Sequence, residues 1–246
     1  MKVVFDLDYT LLDTAKFKEA MAEAVTSCGV PRDRYEEAYK AVVKREGKVY
    51  DYDPEAHLEA LRPWFPDEVA LTEARRRLDE VVAGADKYLF PGSVELLKEL
   101  RQEGRETVLM TLGNEAWQKR KVDNSGLGAL FDEVILTGKH KVGLMKGLAK
   151  PGEKVVIVND NGEEMREMMR EAPSYVYIMK KGPKPKPADL KLPEADDLAE
   201  LEELLMKEGA LSREAGRELK AEIDGAEKAS SEEAAEQGRP SEVVRK

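Results

Sequence analysis

Val3-Val4-Phe5-Asp6-Leu7-Asp8-Tyr9-Thr10 opens the chain, two residues after Met1. Three apolar residues followed at once by alternating acids read as a buried strand that ends in a pair of carboxylates. In a doubly wound sheet, ligands bind beyond the carboxyl ends of the strands. Carboxylates at positions i and i+2 leave a strand on the same side. One could attack a phosphorus atom. The other could protonate the leaving oxygen and then activate water. A solvated acidic turn is the plainer reading of the same residues, so the pattern of the rest of the chain has to decide.

Outward from this stretch the pattern alternates. From about Thr14 the apolar positions Phe17, Ala20, Met21, Ala24 and Val25 recur at spacings of three and four, which predicts a helix. Helical segments continue at Tyr35–Lys44, Pro54–Leu61 and Val69–Val82. Pro91 then precedes an amphipathic helix, Val94–Arg101, with Gly104 as its stop. Strands are expected at Thr107–Thr111, Val134–Thr137, Val155–Val158 and Tyr175–Met179. Helices are expected at Glu115–Val122, Val142–Leu148 and Glu163–Arg170. Strands alternating with helices imply a parallel α/β sheet, doubly wound, with helices on both faces. The all-helical stretch of residues 15–87 is too long for one crossover and reads as an inserted helical cap. The core would then be residues 1–14 and 88–208. Lys180–Pro193, rich in proline and lysine, is expected to be an extended surface connection. Leu198, Leu201, Leu204 and Leu205 predict a last helix. From about Gly209 to residue 246 the composition turns to Glu, Ala, Lys, Arg and Ser with no aromatic. This reads as a tail too polar to offset its own ordering, whose removal should leave folding unchanged.

Composition narrows the function. The chain has 246 residues, 37% of them charged, and a formal net charge of -10. That balance argues against sequence-independent nucleic-acid binding, which needs a basic footprint. The longest aliphatic run, Val155–Val158, is far short of the about 20 apolar residues of a membrane helix, so no membrane partner is expected. The N-terminus has no signal-peptide pattern. A lone cysteine, Cys28, cannot close an intramolecular disulfide, and a reducing, cytoplasmic setting fits. Oligomeric state leaves no signature.

Three further constellations could carry chemistry. Asp160 follows the most apolar strand, and Glu164 lies four residues on, so both carboxylates share a helical face. Magnesium takes one or two carboxylates with phosphate oxygens and water; a helix cap with a favourable first-turn charge is the alternative. Thr111-Leu112-Gly113-Asn114 ends another strand before a helix. A hydroxyl and backbone N–H groups there could cradle a phosphate, or simply cap the helix. Finally, a lysine among Lys139, Lys141 and Lys146 could offset the charge of carboxylates and phosphate.

Taken in order, these stretches resemble the haloacid dehalogenase-like superfamily. Its first motif, hhhDxDxT, is Val3–Thr10; its second is Val108–Thr111; its third is Lys141, with Lys139 as rival; its fourth is Val155–Glu164. Gly126-Leu127-Gly128-Ala129-Leu130-Phe131-Asp132 also looks like a familiar stretch of the family, and the resemblance spans about residues 1–208. It departs at Asn159, where the family usually has glycine, at Glu164, where it has aspartate, and in the order Gly113-Asn114. The resemblance implies a Rossmann-like core, a C1-type cap and a magnesium-dependent phosphatase acting on a small phosphorylated metabolite. Asp6 would be nucleophile and metal ligand. Asp8 would be general acid/base and lend its backbone carbonyl to Mg2+. Thr111 and Lys141, with Leu112 and Gly113, would hold the phosphoryl group. Asp160 and Glu164 would complete the metal site. An acid at Asp8 argues for phosphoryl transfer over dehalogenation, because a departing halide needs no proton. A phosphomutase, a phosphonatase, or a catalytically weak binding or regulatory protein on the same fold stays open. Cap aromatics Tyr35, Tyr39, Tyr50, Tyr52 and Trp64 could line a substrate pocket or form cap core. His57 is expected on a helix face rather than as a ligand.

Overall fold

The structure, a computed structural model, describes residues 1–43 and 52–212. Lys44 and Tyr50, and the tail beyond Ser212, lie outside the described residues. Among the described residues no helix is long and apolar enough to cross a membrane.

Among the described residues, six parallel strands form one sheet: β1 (Lys2–Phe5), β2 (Glu106–Leu112), β3 (Glu133–Thr137), β4 (Val155–Asn159), β5 (Val176–Lys180) and β6 (Glu194–Ala195). Their order is β3-β2-β1-β4-β5-β6. The chain therefore winds outward from β1 through β2 to β3, then returns to the other side of β1. The loops after β1 and β4 diverge there, which makes the crevice where ligands bind in such sheets.

Side-chain alternation assigns the two faces. Val3, Phe5, Leu109, Val156, Val158 and Ile178 enter one buried cluster, and Val4, Val108, Met110, Val155, Ile157, Tyr177 and Met179 enter the other. Helices α5 (Ser93–Gln102) and α8 (Leu198–Lys207) bring Leu96, Leu97, Leu100, Leu198, Leu201 and Leu205 to the first face. Helix α7 (Gly162–Glu171) brings Met165 and Met168 to the second. Helix α6 (Glu115–Ser125), capped by Asn114, follows β2.

Among the described residues, four α-helices lie between β1 and β2: α1 (Thr14–Thr26), α2 (Arg32–Val43), α3 (Pro54–Leu61) and α4 (Glu68–Ala83). Asp13, Asp53 and Asp67 cap α1, α3 and α4, each accepting a backbone N–H of the first turn. The chain leaves the sheet and re-enters it side by side. Asp13 N donates to Tyr88 O at 2.7 Å and Phe90 N to Leu11 O at 2.9 Å. The helical insert leans on α6 through Phe17 and Tyr52, whose rings meet Trp117 at 6.2 and 5.0 Å. Arg120 of α6 adds an ion pair to Asp79 of α4 at 2.6 Å. His57, on α3, packs inside the insert, with Tyr52 Oη 3.1 Å from Nδ1 and Tyr35 O 3.2 Å from Nε2.

Three expectations from the sequence need correction. Val142–Leu148 is not an α-helix but a run of 3-10 turns over Lys141–Gly147; Gly143 and Gly147 within it weaken any longer helix. The proline-rich connection does not merely pass over the surface. It buries Leu190 and ends in β6, where Met179 N donates to Pro193 O and Lys181 N to Ala195 O. A two-residue strand carries no periodicity to read. Packing also runs past Gly209: Ala210 and Leu211 are buried, and Arg105 Nε donates to Ala210 O at 2.9 Å.

Candidate active site

Asp6 emerges directly from β1, its N–H bonded to Val158 O of β4 at 2.9 Å. The backbone then folds back on itself, with Leu7 O accepting from Thr10, Leu11 and Leu12. Tyr9 takes a positive φ of 59°, a left-handed conformation that is strained for an aromatic residue. Its N–H is held by Leu12 O at 2.9 Å and by Thr14 Oγ1 at 3.0 Å. This turn sets Asp6 and Asp8 on the wall of one cavity of about 510 Å³.

Lys141 is the lysine that reaches Asp6. Its ammonium is 2.6 Å from Asp6 Oδ1 and 3.1 Å from Glu164 Oε2, and all three residues are buried. Lys139 is exposed and spends its backbone N–H on Thr137 Oγ1. Burial pushes the Asp6 carboxyl up to about 6 against the pull of Lys141. Burial likewise disfavours the charged form of Lys141, but Asp6 and then Glu164 outweigh it and hold the ammonium above its ordinary value.

Asp8 has different neighbours. Lys121 Nζ lies 2.7 Å from each of its oxygens, Gln118 Nε2 donates to Oδ2 at 3.0 Å, and Thr14 Oγ1 donates to Oδ1 at 2.8 Å. Burial alone would raise this carboxyl, yet Lys121 and the three hydrogen bonds bring it down to about 2. Neither Lys121 nor Gln118 stands out in the sequence. Their signal is the spacing from the cap: Asn114, Gln118 and Lys121 fall at intervals of four and three, one face of α6 turned toward the strand ends.

The fourth strand supplies the remaining acids. Asn159 Nδ2 donates to Glu164 Oε2 at 2.7 Å, and Asn159 Oδ1 accepts from Asn161 N at 2.9 Å. The asparagine that departs from the family's glycine thus orients Glu164. Asp160 lines the cavity, and burial, then the charge of Asp6, pushes its carboxyl up to about 8. Gly182, in the proline-rich connection, comes so close to Asp160 that a Cβ on it would lie 2.4 Å from Oδ2.

The second motif departs from expectation. Thr111 is fully buried and stands behind the cavity wall, its Oγ1 accepting from Gln118 Nε2 at 2.9 Å. Gly113 has φ of 149° and donates its N–H to Thr137 O at 2.9 Å, so that amide is not aimed at a ligand. Leu112 and Asn114 do face the cavity.

Whether this site suits a magnesium ion turns on charge and donors. Asp6, Asp8, Asp160 and Glu164 gather around Lys121 and Lys141, so negative charge is in excess. Glu164 Oε1 is buried with no hydrogen-bond partner, a cost that a cation would remove. The donors are all oxygen, as a hard divalent ion prefers. These features fit. Among the described residues, no three acids, histidines or cysteines yet converge on one point, and the Lys141 ammonium stands between Asp6 and Glu164.

A parallel sheet whose first and fourth strands deliver acids to one cavity at the switch point defines a Rossmann-like α/β protein with a carboxylate-centred site. The sequence profile described as "Hydrolase: haloacid dehalogenase-like hydrolase" matches residues 3–172, and the chain belongs to that family. No curated protein matches the chain. Among solved structures it is similar to a haloacid dehalogenase-like hydrolase from Burkholderia xenovorans LB400, at 20% identity and TM-score 0.64, covering 84% of this chain and 96% of that one. It is similar to the magnesium-bound hydrolase YfnB from Bacillus subtilis, at 16% identity and TM-score 0.55, covering 83% and 97%. The L-2-haloacid dehalogenase from Xanthobacter autotrophicus is similar at 18% identity and TM-score 0.52, covering 84% and 98%. Identities this low speak for the fold alone.

Proposed function

We propose that the protein is a magnesium-dependent hydrolase of small phosphate monoesters, working through an aspartyl-phosphate on Asp6. One observation carries this reading: a lysine-paired carboxylate at the end of β1 shares its cavity with a second carboxylate two residues on. A fold shared with a haloacid dehalogenase does not separate the two chemistries; Asp8 supports the phosphatase reading, because an alkoxide leaving group needs a proton and a halide does not. A phosphomutase or phosphonatase would use the same pair, with the helical insert deciding between them. A catalytically weak binding protein is the reading that remains if no ester is turned over.

In this mechanism an Asp6 oxygen attacks phosphorus as the ester P–O bond breaks, and the leaving oxygen takes a proton from Asp8. Asp8 then removes a proton from water, which attacks phosphorus and frees Asp6. Lys141 holds Asp6 and faces the phosphoryl oxygens. Because Lys121 keeps Asp8 ionised, the acid half of the cycle requires Asp8 to give up that contact and take up a proton, from water or from a monoanionic ester, before it passes one to the leaving oxygen. Asp6, Asp160, Glu164 and the Asp8 carbonyl would hold Mg2+, which supplies positive charge against the phosphoryl oxygens. Thr111 acts from behind, positioning Gln118 and through it Asp8. The insert of residues 15–87 serves as a cap that recognises the leaving group and excludes water. The substrate is a small phosphorylated metabolite, with no nucleic-acid or membrane partner, and the setting is cytoplasmic.

The test is a panel of phosphate monoesters and 2-haloacids, with and without Mg2+, on the wild type and Asp6→Asn. The reading expects magnesium-dependent phosphate release that Asp6→Asn abolishes while the circular dichroism spectrum is kept. Phosphate release by Asp6→Asn at the wild-type rate would remove Asp6 as nucleophile, and halide release alone would replace the proposal.

A further inference from the structure

The cavity has two unlike walls. The end that holds Asp6 and Asp8 is charged. The side contributed by the insert and by the start of α6 carries an apolar and aromatic stretch, made of Phe17, Met21, Tyr39, Val43, Tyr52 and Trp117, with Lys18 and Asn114 beside it. Its rings are already arranged as a continuous lining: Tyr39 meets Tyr52 at 5.3 Å, and Tyr52 meets Trp117 edge-on at 5.0 Å and 64°.

The polar atoms on this wall are turned to one another. Tyr52 Oη is engaged with His57 Nδ1, and His57 with Tyr35 O. Lys18 lies 5.2 Å from the Tyr9 ring centre and 5.8 Å from that of Tyr39, and donates to Tyr9 Oη at 3.2 Å. Among the described residues, the insert contributes no Asp, Glu, Asn or Gln to the cavity lining, and Asn114, at the head of α6, already accepts from Trp117 N with its Oδ1. Packed against Phe17, Met21 and Val43, the hydroxyls of a leaving group would lose water contacts and gain no partner from those side chains. A flat apolar group would instead pack edge to face on Trp117 and Tyr52. A volume of about 510 Å³ leaves room for a ring beside the phosphate, within the range of small-molecule sites.

We infer that the substrate is a phosphate monoester whose leaving group is a flat, apolar ring system, an aryl or aralkyl alcohol, seated against Trp117 and Tyr52. This rests on the phosphatase reading above and names the substrate class of that site. The phosphate end lies at Asp6 and Lys141, and the ring lies under α1 and α2, so the insert reads the ring and the sheet reads the phosphate.

The experiment compares benzyl phosphate with glycerol 3-phosphate and glucose 6-phosphate on the full chain with Mg2+. These are all alkyl esters, so intrinsic leaving-group reactivity is similar. The inference expects kcat/KM for benzyl phosphate to exceed the others by about tenfold or more, the effect of burying one ring. Trp117→Ala should erase most of that preference through KM, and Trp117→Phe should keep most of it. Equal rates, or a preference for the hydroxylated esters, would overturn the inference while leaving the phosphatase reading intact. If no ester is hydrolysed, the phosphatase reading fails, and calorimetric titration with benzylphosphonate and methylphosphonate decides the pocket separately. Tighter benzylphosphonate binding, lost in Trp117→Ala, supports the ring site; equal or absent binding overturns it.

Discussion

Lys121 holds Asp8 by both carboxylate oxygens at 2.7 Å, on a helix 113 residues away in sequence, and only 5% of its side chain is exposed. The pair is the site's internal lock. It fixes the charge state of Asp8 and ties α6 to the turn after β1.

Removing Lys121 should therefore show a pH signature. The Asp8 carboxyl sits at about 2 rather than its usual 3.8. A depressed carboxyl adds stability above its unfolded value, and that stability is lost as pH falls through the folded value. Lys121→Met should destabilise the protein by about 2 kcal/mol near pH 7, below the about 3–5 kcal/mol of breaking a fully buried pair because Asp8 is partly exposed. The difference between wild type and variant should shrink between about pH 4 and about pH 2. Urea unfolding across that range reads it; a difference that does not change with pH would mean the lysine acts by packing alone.

Asp160 works in the opposite sense. Its carboxyl is raised to about 8, first by burial and then by Asp6. The folded protein holds this proton more tightly than the unfolded chain, so its contribution falls as pH rises from about 4 toward 8. Asp160→Asn should raise the melting temperature at pH 8 by about 2 to 4 °C, corresponding to about 1 kcal/mol for a chain of this size. Saturating Mg2+ should stabilise the wild type and leave the variant unchanged. A lower melting temperature for Asp160→Asn in chelator would refute the charge-repulsion account.

Much of this architecture is legible in the sequence because it is carried by strong local patterns. Val3–Asp8 and Val155–Asp160 are apolar runs ending in acids, and such a run is both a strand and a strand end. Six of the expected site residues, Asp6, Asp8, Leu112, Lys141, Asp160 and Glu164, line the cavity. What the sequence hides is contact across distance. Lys121 is one lysine on a charged helix until the fold sets it against Asp8. Gly182 is one residue in a proline-rich connection until that connection turns under Asp160. Thr111 reads as a phosphate ligand from its strand-end position, yet one layer of packing puts its hydroxyl on Gln118 instead.

The C-terminal boundary gives a direct check on packing. Ala210 and Leu211 are buried in the first core cluster, and Lys154 Nζ reaches Glu208 O and Oε2 at 2.8 and 2.7 Å. A chain ending at Gly209 loses burial of one leucine and one alanine, together with the Arg105 contact. That should cost about 2 kcal/mol. A chain ending at Ser212 should match the full-length protein. Thermal unfolding of the two truncations distinguishes them, and equal melting points would place the end of the packed chain at Gly209.

Gly182 offers the sharpest test of how the site is built. A Cβ there would lie 2.4 Å from Asp160 Oδ2, 2.8 Å from Asp160 Cβ and 3.0 Å from its Cγ. These distances are too short for real contacts, so either the connection or Asp160 must move. The connection is tied down by Leu190, which is buried, and by Lys186 Nζ donating to Leu192 O at 3.0 Å. Asp160 is the softer partner, because its side chain can rotate. Gly182→Ala should therefore fold with a stability loss of about 1 kcal/mol, the middle of the range for single substitutions. Catalysis should suffer far more, by about tenfold to a hundredfold in kcat/KM, because a displacement of about 1 Å is costly in an active site. Half-saturation should also need more Mg2+. Gly147→Ala is the matched control, since nothing lies within 4 Å of the position its Cβ would take. If Gly182→Ala keeps wild-type kcat/KM and magnesium dependence, the position of Asp160 does not govern the reaction, and its proposed place among the metal ligands falls with it.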